Sequence, residues 1–282
     1  MMKFLSKLNR MDRRIVFLLV TVVILIPLLL NIQSRLYVDK ATHDLFNRID
    51  AIQPGGQPIL ISFDYDPQVA PELDPMAVAV LRHCFAKGIK VIGMGLQPQG
   101  DAIGEAIISR ISKEYNKKSG TDYCYFGYRP GGYIVMLYIG ENVKKALPQD
   151  YYGVSYDSLP MMKGIHNYDD IPLVLSLAGS TWPNTWIMFA GTRYKASIAD
   201  GCTAVMAPEY YPFLQTGQLV GQMAGMKGAA EYEQLIVDAG YTKSKDIASK
   251  AMSAISYSHI LIILLIVMGN IGYFVTRRME NK

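Results

Sequence analysis

An apolar run without ionisable side chains extends from Ile15 to Ile32 (IVFLLVTVVILIPLLLNI). At about 1.5 Å per helical residue, such a run nearly covers the roughly 30 Å hydrocarbon core of a bilayer. We therefore predict a transmembrane helix over residues 15–32. A cleaved signal peptide is the competing interpretation. Such peptides have a shorter apolar region of about 7 to 15 residues and a small-x-small cleavage motif, and no Ala-x-Ala pattern closely follows this run.

A second apolar run, Ile260 to Val275, predicts a transmembrane helix over residues 258–276. Basic residues dominate residues 1–14 and 277–282, the two segments outside these runs. By the positive-inside rule, both tails are then cytoplasmic. The chain is predicted to be a two-pass protein of the cytoplasmic membrane, with residues 33–257 forming an extracytoplasmic domain with helical stalks.

Composition limits what the middle of the chain does. The formal net charge of +4 comes mainly from the two tails, and the nearly neutral middle gives no electrostatic reason to expect nucleic-acid binding. The expected partners are the lipid bilayer and other membrane proteins or further copies of this chain. Three scattered cysteines fit neither a disulfide framework nor a metal site, and are expected to be buried free thiols. No cofactor or metal is expected.

The first part of the middle segment has a strand-helix-strand pattern. Pro58 to Phe63 and Lys90 to Leu96 are apolar runs of strand length, and Asp74-Pro75 has the form of a helix N-cap followed by a first helical proline. Two parallel strands joined by a helix require a right-handed crossover. This segment is therefore predicted to be a βαβ unit.

The same alternation continues along the chain. An amphipathic helix is predicted within residues 33–53, another helix begins at Gly100, and a helix over 245–256 leads into the second span. The further strands are predicted at 123–128, 133–139, 171–177, 185–190 and 203–206. Strands that are apolar throughout indicate a sheet covered on both faces. We predict an α/β, Rossmann-like domain with a mostly parallel sheet and helices on both faces, flanked by one transmembrane helix at each end.

Glycines recur at intervals of four in the segment from Leu214 to Ala239. On an α-helix, Gly217, Gly221 and Gly225 share one face, to which Gly228 adds a small neighbour. Interior glycines each cost about 0.5 to 1 kcal/mol relative to alanine, so a stripe of them needs a close helix neighbour as compensation. These four glycines are predicted to form a protein interface, with another copy or a membrane partner. Tight packing within the same chain, or a loop, is the alternative.

Two carboxylates, Asp64 and Asp66, follow the first predicted strand, at the edge where open α/β sheets place their ligand crevice. We predict them as ligand-binding residues. A strand followed by Asp-x-Asp resembles the opening motif of the haloacid-dehalogenase phosphatases. The resemblance implies a nucleophilic Asp64, a general acid at Asp66 and a magnesium site, although Gln68 stands where that family favours Thr or Val. The alternative is that both carboxylates cap a turn and face water.

The chain is also rich in tyrosine, with 19 Tyr and 2 Trp. These side chains suit interfaces and lipid headgroups, or else pack between sheet and helices. The predicted function is that of a structural or accessory subunit of a membrane complex, in transport or envelope assembly, whose domain mediates protein contacts. One alternative is a membrane-tethered solute-binding or sensory domain. Another is a metal-dependent phosphatase-like enzyme using Asp64 and Asp66.

Overall fold

The computed structural model describes residues 12–30, 35–243 and 246–280. The chain divides into two compact units, one formed by residues 36–248 and the other by the segments at its two ends. The larger unit contains a six-stranded sheet with helices around it.

The described residues of the terminal unit include parts of two helices. Helix α1 covers Arg13–Leu29, 17 residues, and has Pro27 inside it. The long C-terminal helix extends over Ile247–Glu280. The helix predicted over 245–256 is therefore continuous with the second apolar run, although residue 245 lies outside the described residues. Among the described residues, Ile247–Arg278 is the helix that is long and apolar enough to cross a membrane. A first span over 15–32 stays a prediction, and residues 31 and 32 lie outside the described residues.

All six strands of the sheet are parallel, in the order β3-β2-β1-β4-β5-β6. This is the strand order of a Rossmann-type doubly wound sheet, so the predicted α/β class is confirmed. The strands are β1 (Ile59–Asp64), β2 (Val91–Gly95), β3 (Tyr123–Tyr128), β4 (Val174–Ala178), β5 (Ile198–Cys202) and β6 (Leu219–Ala224).

The helices of the larger unit lie on both faces of this sheet. They are α2 (Lys40–Asp50), α3 (Ala70–Lys87), α4 (Gly100–Glu114), α5 (Tyr133–Glu141), α6 (Val143–Ala146), α7 (Trp182–Trp186), α8 (Ala207–Gln215) and α9 (Gly225–Asp238); the C-terminal helix is α10. A π-helix, Ile187–Thr192, continues α7. Side chains alternate across a strand, so Phe63 faces α4 while its neighbour Asp64 faces α7.

Helix α3 begins one turn earlier than predicted. It starts at Ala70 with Pro71 in the first turn, and Pro75 lies inside the helix. Asp74 therefore lies inside the helix and does not cap it, and its carboxylate accepts a hydrogen bond from the Tyr65 hydroxyl at 2.8 Å. The predicted βαβ unit itself is confirmed.

Two predicted strands are helical. Residues 133–139 form α5, and residues 185–190 belong to α7 and the π-helix. Both segments are apolar on every side, so their hydropathy does not distinguish a strand from a helix. In α5 the buried positions Val135, Met136 and Ile139 have helical spacing and pack into the core on the α7 face of the sheet.

The predicted strand at 203–206 is wrong, because β5 precedes it at Ile198–Cys202. Asp200 and Gly201 lie inside that strand, so it lacks the continuous apolar run by which the other strands were predicted. Its burial is nevertheless complete along its length. A polar side chain in the middle of a buried strand is the main departure of this sheet from its predicted pattern.

The predicted glycine stripe is also wrong as a helical surface. Gly217 lies in a turn with φ +74°, Gly221 lies in β6, and Gly225 begins α9 with φ +58°. A Cβ on Gly221 would lie 2.6 to 2.7 Å from the backbone N and Cα and the Cβ of Leu45 in α2. Close helix packing therefore does explain this glycine, but the neighbour is a helix of the same chain. A protein interface at these glycines stays a prediction, without the helical face on which it depended.

Candidate functional site

The predicted carboxylate Asp64 ends β1, beside β4, at the point where the strand order reverses. Its side chain is fully buried. One oxygen accepts the Leu96 backbone N–H at 2.6 Å and the other accepts the indole N–H of Trp186 at 3.2 Å. Burial raises the pKa of Asp64 to about 6, although both hydrogen bonds favour the charged form. Asp64 thus joins β1 to the chain after β2 and to α7.

Asp66 caps the turn that follows β1. Its carboxylate accepts the backbone N–H of Gln68 at 2.9 Å, which is the turn-capping geometry of the alternative interpretation. Within the described part of the chain, no group of three or more His, Cys, Asp or Glu side chains is placed to hold a metal ion. A nucleophile must be reachable by its substrate, and Asp64 is enclosed on both oxygens. The geometry therefore does not favour hydrolysis at these residues, and their ligand-binding role stays a prediction.

A row of polar side chains crosses the sheet on the α7 face. Ser62, Ser176, Asp200 and Gln222 are aligned in register on β1, β4, β5 and β6, and all are buried. Gln222 donates its side-chain N–H to one Asp200 oxygen at 3.3 Å, and in the described part of the chain the other oxygen has no hydrogen-bond partner. Burial raises the pKa of Asp200 to about 7, against the opposing effect of the Gln222 amide. We call these four residues the sheet polar row.

The sheet polar row ends at a cavity of about 470 Å³ beyond the carboxyl ends of β5 and β6. This volume lies within the usual range for small-molecule sites, about 300 to 1,000 Å³. The first turns of α2, α8 and α9 contribute to its wall. We call it the α2–α9 cavity, and its polar lining includes Asp39, Lys40, Thr42, Gln222, Lys227 and Glu231.

Charged side chains of both signs line the α2–α9 cavity. The Lys227 ammonium pairs with Asp39 at 2.6 Å and with one carboxylate oxygen of Glu231. Partial burial opposes the charged form of Lys227, but these two carboxylates outweigh it and raise its pKa. The second oxygen of Glu231 is buried and has no hydrogen-bond partner among the described residues. A buried carboxylate oxygen without a donor is energetically costly, and a ligand donor would remove that cost.

Two backbone features complete this cavity. Neither N-cap residue, Asp39 of α2 or Ala224 of α9, accepts a first-turn N–H with its side chain. The first N–H groups of a helix have no partner within the helix, and they carry the positive end of its dipole. The Thr42 hydroxyl donates to the backbone oxygen of Gln222 at 3.2 Å, which ties α2 to β6 at the cavity.

Helix α9 also holds the two segments at the boundaries of the larger unit. Leu36 donates its N–H to the Gln234 side chain at 2.9 Å and accepts an N–H from it at 3.3 Å. The carboxylate of Glu233 accepts the backbone N–H groups of Asp246 and Ala248, both at 3.1 Å. Glu233 and Gln234 are consecutive and buried. Leu36 and Ala248 are the first and last residues of this unit.

Sequence reasoning did not identify this site. Lys227 and Glu231 lie in the segment from Leu214 to Ala239, in which only the glycines are predicted as functional residues. The residues of α2 and β6 that complete the cavity are distant from them in the sequence. The sequence signal that could have indicated this region is Asp200, a carboxylate within a buried strand. The strand was predicted at residues 203–206, so Asp200 fell outside it. Comparison of the chain with protein-family models, curated proteins and solved structures found no match.

Proposed function

We propose that this protein is a membrane-tethered recognition domain that binds a small polar solute in the α2–α9 cavity and transmits its occupancy to the chain's terminal segments. Apolar helices at both ends anchor it in the cytoplasmic membrane. Both basic tails lie in the cytoplasm, and the α/β domain is extracytoplasmic. The apolar helix Ile247–Arg278 and the basic residues beside both apolar runs support this arrangement.

One observation carries the proposal: a single helix serves both the cavity and the boundary segments. Lys227, Gly228 and Glu231 of α9 line the cavity. The residues that follow, Glu233 and Gln234, hold Ala248 and Leu36 through hydrogen bonds to their backbone. A helix transmits a small displacement along its length because its core packing is close and stiff. A solute that favours one position of α9 would therefore change the bonds at both boundary segments.

A retention experiment tests the binding. The full chain in detergent micelles is dialysed against a defined mixture of sugars, polyols, organic acids, phosphates, amines and amino acids, and retained compounds are measured by mass spectrometry. We expect saturable retention that Ala41→Trp abolishes by filling the cavity. Ala196→Trp is the matched control, because Ala196 lines a different cavity beside β5. Retention of no compound, or equal retention by both variants, would contradict the proposal.

Hydrogen exchange tests the transmission. The backbone amides of Leu36 and Ala248 are themselves the donors to Gln234 and Glu233, so their exchange rates report these bonds. We expect a retained compound to change both rates, and Glu233→Gln to reduce the response at Ala248. If a compound is retained in the cavity but changes neither exchange rate, the transmission part of the proposal is wrong.

A second candidate function, the accessory subunit of a membrane complex, is favoured by an exposed apolar patch on the helices that cover the α7 face of the sheet. The rings of Tyr133 and Phe189 stack at 4.8 Å, beside exposed Ile134 and Met188. Such patches commonly mark protein contacts. Met188→Glu should then release a partner or a second copy during mild-detergent extraction, as judged by particle mass. If the unaltered protein is extracted as a lone monomer, this candidate is wrong.

A further inference from the structure

The α2–α9 cavity presents binding groups for both signs of charge. The first turns of α2 and α9, which have no side-chain cap from their N-cap residues, favour an anionic group, and Lys227 lies beside them. Lys40 also lines the cavity, but its ammonium pairs with Asp44 at 2.5 Å and its side chain is 88% exposed. Glu231 and Asp39 favour a cationic donor. Lys227, Asp39 and Glu231 form one ion-paired group of both signs, so a ligand with a single charge of either sign would leave part of this group unmatched.

The unpartnered oxygen of Glu231 decides which donor this cavity suits. Lys227 occupies one oxygen of that carboxylate and leaves the second without a donor, although the residue is fully buried. The Lys227 side chain is 44% exposed, so it has room to move aside as a ligand enters. An ammonium group matches this oxygen best, because a charge-assisted hydrogen bond is stronger than a neutral one.

We infer that the ligand of the α2–α9 cavity is a small zwitterion of the α-amino acid class. Its carboxylate meets the first-turn N–H groups of α2 and α9, where Lys227 can pair with it. Its ammonium group meets Glu231. The remaining cavity volume holds the side chain, between Thr42 and the Tyr211 ring. This inference depends on the proposed function, since it names the class of solute that the recognition domain takes.

Calorimetric titration of the full chain in detergent micelles tests the ligand class. Each standard amino acid is titrated separately, at concentrations up to about 10 mM to include millimolar affinities. We expect at least one to bind saturably. Its carboxamide, which lacks the carboxylate, and its N-acetyl derivative, which lacks the ammonium group, should each bind at least tenfold more weakly. This comparison uses the unaltered chain and needs no variant to fold.

A variant pair tests the role of Glu231. Glu231→Gln keeps the shape and removes the charge, so it should weaken amino acid binding at least tenfold and reduce the difference between the free and N-acetylated ligand. Glu141→Gln is the matched control, because that carboxylate lies on the surface of α5 and is 55% exposed. Near-ultraviolet circular dichroism of both variants verifies the fold before titration.

The outcomes separate this inference from the proposed function. Binding of no amino acid, or equal binding of the N-acetyl derivative, overturns the zwitterion class. If the retention experiment then yields a sugar or a phosphate whose binding Ala41→Trp abolishes, the recognition function stands with a different ligand. If it yields nothing, both proposals fail.

Discussion

Replacement of Asp200 by asparagine should remove a pH dependence from the stability of the α/β domain. The carboxylate is fully buried, one of its oxygens has no hydrogen-bond partner, and burial raises its pKa from 3.8 to about 7. A difference of about three pKa units corresponds to about 4 kcal/mol, at about 1.4 kcal/mol per unit. The folded state holds this proton more tightly than the unfolded state does. The associated stability is therefore present below pH 3.8 and is lost as the pH rises through about 7.

Most of this loss falls within an accessible range. Between about pH 5 and about pH 8, linkage gives a loss of about 2 to 3 kcal/mol from Asp200. The substituted asparagine would keep an acceptor for Gln222, and its unpaired amide would cost about 1 to 3 kcal/mol at every pH. The free energy of unfolding of Asp200→Asn, minus that of the unaltered protein, should thus increase by about 2 to 3 kcal/mol over this range.

The difference between the two proteins is the quantity to measure, because another buried group acts in the opposite direction. Burial lowers the pKa of His83 from 6.5 to about 4, against its contact with Asp50. Since its unfolded state binds more protons between these values, His83 makes stability rise with pH there. This contribution is common to both proteins and cancels in the difference.

Urea unfolding followed by tryptophan fluorescence is the assay. Both tryptophans of the chain, Trp182 and Trp186, lie within the larger unit, so the signal reports on the α/β domain in the full chain in micelles. Asp157→Asn, at a carboxylate that is 65% exposed, controls for the loss of a charge. If the Asp200→Asn difference is constant from about pH 5 to about pH 8, the electrostatic argument is refuted.

Three further predictions follow from the packing. Gly221→Ala should destabilise the domain by about 1 to 3 kcal/mol in urea unfolding, because its Cβ would overlap the backbone of Leu45; a change below about 0.5 kcal/mol contradicts this. Trp186→Phe removes a donor to Asp64, so the pKa of that carboxyl should rise above 6 in carbon-13 NMR titration, and an unchanged value would show that the bond is unimportant. Burial raises the pKa of all three cysteine thiols, Cys84, Cys124 and Cys202. Ellman's reagent should therefore label none of them before the protein unfolds, and rapid labelling of the native protein would show that a thiol is accessible.

The fold class followed from the sequence because its strongest signals are local. The strands at residues 59–64, 91–95 and 123–128 are buried on both faces, and such burial favours apolar side chains at most positions. The helix from Gly100 and the buried state of the three cysteines were likewise predicted correctly. The apolar run near the C-terminus predicted a helix that forms over Ile247–Glu280.

The mistaken segments are those where two structures satisfy the same pattern. YIVMLYI at residues 133–139 is apolar at every position, so only its packing on the sheet decides that it is the helix α5. The glycines from 217 to 228 have helical spacing, yet the position of α2 against Gly221 decides that this part of the chain is a strand and a turn before α9.

The candidate site depended entirely on tertiary structure. A sequence records that Lys227 and Glu231 are four residues apart, and helix geometry then predicts their contact. It does not record that Asp39 and Thr42 lie against the same helix end, because that proximity results from the crossover order of the sheet. Local side-chain chemistry thus determined which segments are buried or helical. The assembled sheet brings distant residues into contact. Only these contacts decided which polar groups lack a hydrogen-bond partner and where a ligand could provide one.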